Sequence, residues 1–198
     1  MPVDDIQPFI SEHGGHDKIN YFQMGDVTTS TVEDTSWERG YWLQYIVGDP
    51  GVDALVDGTD DPASITNQIV VSAASSAGLI QTRGGTSGAA THAIRVPCYD
   101  VYSGMEFRTR NVFASGSDTN VGPIAGAGNG TMTGVTVGDT ADIWVDDTTA
   151  TMVGHVHGLD LAGNFFEITR ILDTSGEDTF ISSGTADWVV FRAVPRIS

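Results

Sequence analysis

The sequence predicts an all-β protein, a β-sandwich or β-barrel behind an extended N-terminal arm, on three observations. Runs rich in Val, Ile, Thr and aromatic residues recur every 8 to 15 residues, separated by clusters of Gly, Asp, Ser and Asn. Apolar residues nowhere keep a helical period beyond about two turns. The 198 residues include 24 glycines and 22 threonines, which disfavour helix and suit a pleated surface.

Residues 1–24 read as the arm. They carry Pro2 and Pro8, two glycines and two histidines, with apolar side chains too sparse to build a core. Phe9, Ile10, Tyr21 and Phe22 are the residues expected to anchor this segment on a neighbouring subunit. The β texture begins near Val27, and its first strong runs are YWLQYIV at 41–47 and NQIVVSA at 67–73. HAIRVPCYDV at 92–101 and MEFRTRNVF at 105–113 follow. In the second of these, Met105, Phe107 and Thr109 alternate with Glu106, Arg108 and Arg110, the pattern of a strand with one wet face.

Later runs are TMTGVTV at 131–137, ADIWV at 141–145, TMVGHVH at 151–157, FFEITRIL at 165–172 and DWVVFRAV at 187–194. The last two are apolar on both faces and are expected at the centre of a sheet or under a partner. A composition shift at the glycine-rich stretch 121–134 divides the β region into residues 25–120 and 121–198, as two small subdomains or one continuous body. Long polar insertions at 48–66 and 74–91 are expected outside the packed body.

Charge narrows the partners. Twenty-six acidic residues against nine basic ones give a net charge of −17, which argues against nucleic acid and anionic membranes. Twenty of the acids are Asp, and Lys18 is the single lysine. At about 1 M salt the Debye length falls to about 3 Å, so self-repulsion on such a surface nearly vanishes, and the composition suits a high-salt environment. No apolar run is long enough to span a bilayer, and the start MPVDDIQPFISEHGG has neither a basic leader nor an apolar signal core. The chain is expected to begin at Met1 or Pro2 in the cytoplasm where it is made. Cys98 is the sole cysteine, so an intramolecular disulfide framework is excluded.

Motifs that carry chemistry are few. His155 and His157 flank Val156, and on a strand such a pair shares a face and can bind one metal, with Asp160 near enough to be a third ligand. The pattern then stops, because no Glu follows until Glu167 and the other histidines, His13, His16 and His92, are remote. No metal, no cofactor and no catalytic residue is expected. GGTSGAATHA at 84–93 resembles the segment around a subtilase nucleophile, with Ser87 in the reactive position, but no base or orienting acid of that family precedes it. The acids Asp60, Asp61, Asp139, Asp142, Asp146 and Asp147 lack EF-hand spacing and read as solvated turns. HGGHD at 13–17, the sequon at Asn129 and the Gly126-Ala-Gly128 segment also lack the context their motifs need.

One resemblance bears on function. The order of MEFRTRNVF, VGDTADIWVDDTTATMV, NFFEITRILDTSGED and ADWVVFRAVP from 104 to 196 resembles the head decoration, or cement, proteins of tailed viruses with an HK97-type capsid. SWERGYWLQYIVGDPGVDALVDG at 36–58 resembles the early part of such proteins. The resemblance implies a non-enzymatic virion protein of a bacteriophage or archaeal virus, bound to the major capsid protein on the outer capsid surface, as a homotrimer at subunit junctions. Trp37 and Tyr41 would then join the arm residues at subunit contacts. Two other classes remain open: another β-sandwich virion component, such as a tail, fibre or glycan-binding module, and a cupin-like enzyme built on His155 and His157.

Overall fold

A computed structural model describes residues 6–8, 19–23, 38–45, 52–55, 68–75, 95–113, 134–146, 156–161, 163–172 and 188–194 of the chain. These residues form two β-sheets and a single 3-10 turn, so the all-β expectation holds. None of them belongs to a helix long and apolar enough to cross a membrane.

The strands are β1 (Gln7–Pro8), β2 (Ile19–Gln23), β3 (Trp42–Tyr45), β4 (Val52–Ala54), β5 (Gln68–Ser72) and β6 (Arg95–Asp100). Then come β7 (Phe107–Thr109), β8 (Val112–Phe113), β9 (Thr140–Asp146), β10 (Val156–Asp160), β11 (Phe166–Leu172) and β12 (Trp188–Ala193). One sheet has seven strands in the order β1-β7-β12-β11-β9-β10-β8, and the other has five in the order β2-β6-β5-β3-β4. Neighbours run antiparallel except β10 and β8, which are parallel.

The arm is drawn further into the body than its composition suggests. Gln7 and Pro8 pair with β7, and Ile19–Gln23 pairs with β6 along five residues. Ile6 is buried in the core and its N–H donates to the Gly40 carbonyl at 3.2 Å. The residues on either side of a possible boundary at 121 also share a sheet, since β1, β7 and β8 lie beside β9 to β12.

Aromatic rings fill the space between the sheets. Trp42 packs on Phe166 and Phe191 with ring centroids 5.3 and 6.1 Å apart, and Tyr99 meets Phe107 edge-on at 6.4 Å. Phe107 and Phe166 in turn contact Phe191. Ile69, Val71, Ile143, Val145, Leu159 and Ile168 complete the same cluster. Each such side chain contributes about 1.5–3 kcal/mol when fully buried, so this layer is the main source of stability.

Two sequence runs break where continuity was expected. MEFRTRNVF becomes β7 and β8, because the Asn111 N–H turns back onto the Thr109 hydroxyl at 3.0 Å and sends the chain to the far end of the sheet. The buried and half-buried alternation of Met105 to Arg110 is nevertheless as read. The described part of TMTGVTV is a turn rather than a strand: Asp139 N–H reaches the Thr136 carbonyl at 3.1 Å, and Gly138 has φ 95°. Positive φ at the third residue is what a type II turn requires, and glycine meets it without strain.

Candidate functional site

His157 is the chemistry-bearing side chain that the fold fixes most tightly. It lies on β10 opposite Val145, on the core side, and is fully buried. Its Nδ1 accepts the main-chain N–H of Trp42 at 3.1 Å, which places the ring proton on Nε2. The Tyr41 ring stacks on the imidazole with centroids 3.9 Å apart and planes 24° from parallel.

The main chain beside His157 is equally engaged. The Trp42 indole N–H donates to the Gly158 carbonyl at 2.9 Å, and the Asn111 side-chain amide donates to the His157 carbonyl at 2.8 Å. Leu159 N–H then donates to the Asn111 carbonyl at 3.0 Å. A Cβ at position 158 would run into the Asn111 main chain, so glycine there allows the close approach. β10 is thus the seam between the sheets, and His157 serves it as a buried acceptor.

This geometry separates two of the three candidate metal ligands. Asp160 is three residues beyond His157 on the same strand and so faces the opposite side of the sheet, in register with Asp142. His155 lies outside the described residues. Among the described residues, no three His, Cys, Asp or Glu side chains gather into a metal-binding group.

Asp146 ends β9 opposite Val156, while Asp139 and Asp142 hold turns. Asp139 accepts the Thr136 N–H and hydroxyl at 2.7 and 2.8 Å. Asp142 accepts the N–H groups of Asn164 and Phe165 at 3.3 and 3.2 Å, with its carboxyl lying where a Cβ of residue 163 would be. Asp60, Asp61 and Asp147 lie outside the described residues, as do Ser87, Asn129, His13, His16, His92 and the 126–128 segment.

The expected contact residues divide similarly. Tyr41 is buried in its own chain against His157, so its ring belongs to the sheet seam. Tyr21 and Phe22 contribute main chain to β2. Phe9, Ile10 and Trp37 lie outside the described residues.

Two apolar side chains that the sequence reading passed over stand at one rim of the body. Ile19 is 42% exposed and Tyr102 48%. Asn20 joins them by donating its side-chain amide to Asp100 at 3.5 Å, while Asp100 also accepts the Tyr102 N–H at 3.0 Å, capping the 3-10 turn Val101–Ser103. Tyr102 rests edge-on against Phe165, 5.8 Å away. The signal in the sequence was slight: an apolar residue at the head of INYFQ, and a tyrosine just before a Ser-Gly turn.

The outer face of the seven-stranded sheet collects basic residues in an acidic chain. Arg108 and Arg110 lie over the Trp188 ring at 4.6 and 5.4 Å, above a buried trio of Leu172, Trp188 and Val190. Arg170 meets Glu106 at 3.8 Å and Arg192 meets Glu167 at 3.3 Å. These four are half of the chain's arginines. Their contacts are to the indole and to carboxylates on the same face.

No family model matches the chain. Neither the curated proteins nor the solved structures give a match.

Proposed function

We propose that the chain is a non-enzymatic structural protein of a tailed-virus particle, a decoration protein that binds the major capsid protein on the outside of the assembled shell and stabilises it. A homotrimer is the assembly that a quasi-threefold junction would take. The observation that carries the reading is how the reactive groups are used. His157, Asp139 and Asp142 all accept hydrogen bonds that hold the main chain, while Ile19 and Tyr102 are left apolar and accessible at a rim. That distribution favours contact over chemistry. The sequence resemblance supplies the kind of contact, and the charge of −17 suits a protein that stays soluble until it meets a shell.

Quantitative protein analysis of purified particles tests the proposal. Recovery in a fixed ratio to the major capsid protein, lost from particles when Ile19 and Tyr102 are both replaced by Asp, is the expected result. A chain absent from particles, or present only in the few copies of a tail or fibre component, overturns it.

A further inference from the structure

We infer that His157 is a pH-sensitive latch between the two sheets: the folded body keeps this imidazole neutral, and its grip loosens once the ring takes a proton. The inference goes beyond the decoration reading and is independent of it. The ring stands on β10 of the seven-stranded sheet, while the main-chain N–H that it accepts belongs to Trp42, the first residue of β3 in the five-stranded sheet. That bond of 3.1 Å therefore ties one sheet to the other.

A proton cannot join Nδ1 while the bond lasts. The lone pair that would take it already receives the Trp42 N–H, and a protonated ring donates from both nitrogens, so two N–H groups would face each other. The ring is also fully buried, and a charge there loses its hydration. Of the titratable side chains on the elements around it, Tyr41 faces the imidazole, 3.9 Å away. Its ring face would attract an imidazolium, but that attraction leaves the opposed N–H groups in place. On β9 and β10, Asp142 and Asp160 face the other side of the sheet, and Asp146 is paired with Val156. Arg110, next to Asn111, lies over Trp188 on the outer face, and Glu38 and Arg39 stand in the turn before Tyr41, Arg39 exposed.

The unfolded chain has no such constraint and takes up this proton below about pH 6.5. As pH falls through that value the unfolded state comes to bind one more proton than the folded state, and the equilibrium moves toward unfolding. Net charge works in the other direction. Acid reduces the −17 of the chain and relieves repulsion, which stabilises the compact state. A loss of stability in this range is therefore the mark of a histidine that the fold keeps neutral.

Urea unfolding of the full chain in about 2 M sodium chloride, where repulsion is screened, tests the inference. From about pH 7.5 to about pH 5.5 the unfolding constant should rise about tenfold through His157 alone. His157→Asn sets an amide oxygen, which accepts a hydrogen bond and does not titrate, in the place of Nδ1, and should remove that rise. Should the variant not fold, NMR of the wild type with isotope-labelled histidine asks the same question: at least one of the five imidazoles should stay neutral over this range while the chain is folded. A folded variant that keeps the wild-type acid response, or five histidines that all titrate near about pH 6.5 in the folded chain, overturns the inference.

Discussion

The imidazole of His157 and the ring of Tyr41 lie face to face, 3.9 Å apart, where the two sheets meet. The same imidazole takes the Trp42 N–H, so one histidine closes the seam through both packing and a hydrogen bond.

His157→Ala should therefore cost stability. The change leaves a buried N–H without its acceptor and opens a hole beside Tyr41, together about 3 kcal/mol. Urea unfolding in high salt would show it as a lower midpoint. A midpoint within error of wild type would mean that the seam does not depend on this ring.

Trp42→Phe isolates the indole N–H. Ring packing on Phe166 is largely retained, while the Gly158 carbonyl loses a bond of 2.9 Å in a dry setting. The expected loss is about 1–2 kcal/mol, read from thermal melts.

The thiol of Cys98 gives a pH signature. Burial pushes it up from 9.0 to about 12. Below pH 9 the thiol is neutral in both states and contributes no pH dependence. Between about 9 and 12 the unfolded chain ionises and the folded chain does not, so stability should fall by about 1.4 kcal/mol per pH unit from this group. Cys98→Ala should remove that part of the alkaline slope. In the wild type, alkylation by iodoacetamide at pH 8 should wait for unfolding.

Removing residues 1–24 should cost much more than a detachable arm would. The truncation deletes β1, β2 and the buried Ile6 side chain, whose burial alone is worth about 1.5–3 kcal/mol. A broadened or absent thermal transition is expected. A truncated chain that melts like the full one would show that these strands add nothing to the body.

Salt should act in the opposite sense. With −17 on the surface, melting temperature should rise from about 0.1 M to above about 1 M sodium chloride as repulsion is screened. A flat response would separate the acidic composition from any adaptation to salt.

Most strands were legible because their alternation is local. β3, β5, β6, β11 and β12 fall within runs read from Val, Ile, Thr and aromatic spacing, and β9 extends its run by one residue at each end. What escaped depends on events between strands. In β11 the pairing slips between Ile168 and Arg170, so Ile168 and Ile171 share the core side although three residues apart. That slip imitates a strand apolar on both faces. The role of His157 was hidden for a related reason: its partners Trp42 and Tyr41 are more than a hundred positions away, and spacing within GHVHG cannot report them. The inclusion of β2 in a sheet required knowing that β6 lay beside it.

The order of strands has a consequence for how the chain is made. The seven-stranded sheet places β12 between β7 and β11, so the strand completed at Ala193 is an interior one. Until residue 193 has left the ribosome, β7 lacks its neighbour on that side, and β8 must also wait for β10. Pairings this distant form late and slowly, leaving apolar strand edges open in the interval. The edges of β7 and β8 must therefore stay clear of other chains until their own partners arrive, a demand that the strand order alone imposes.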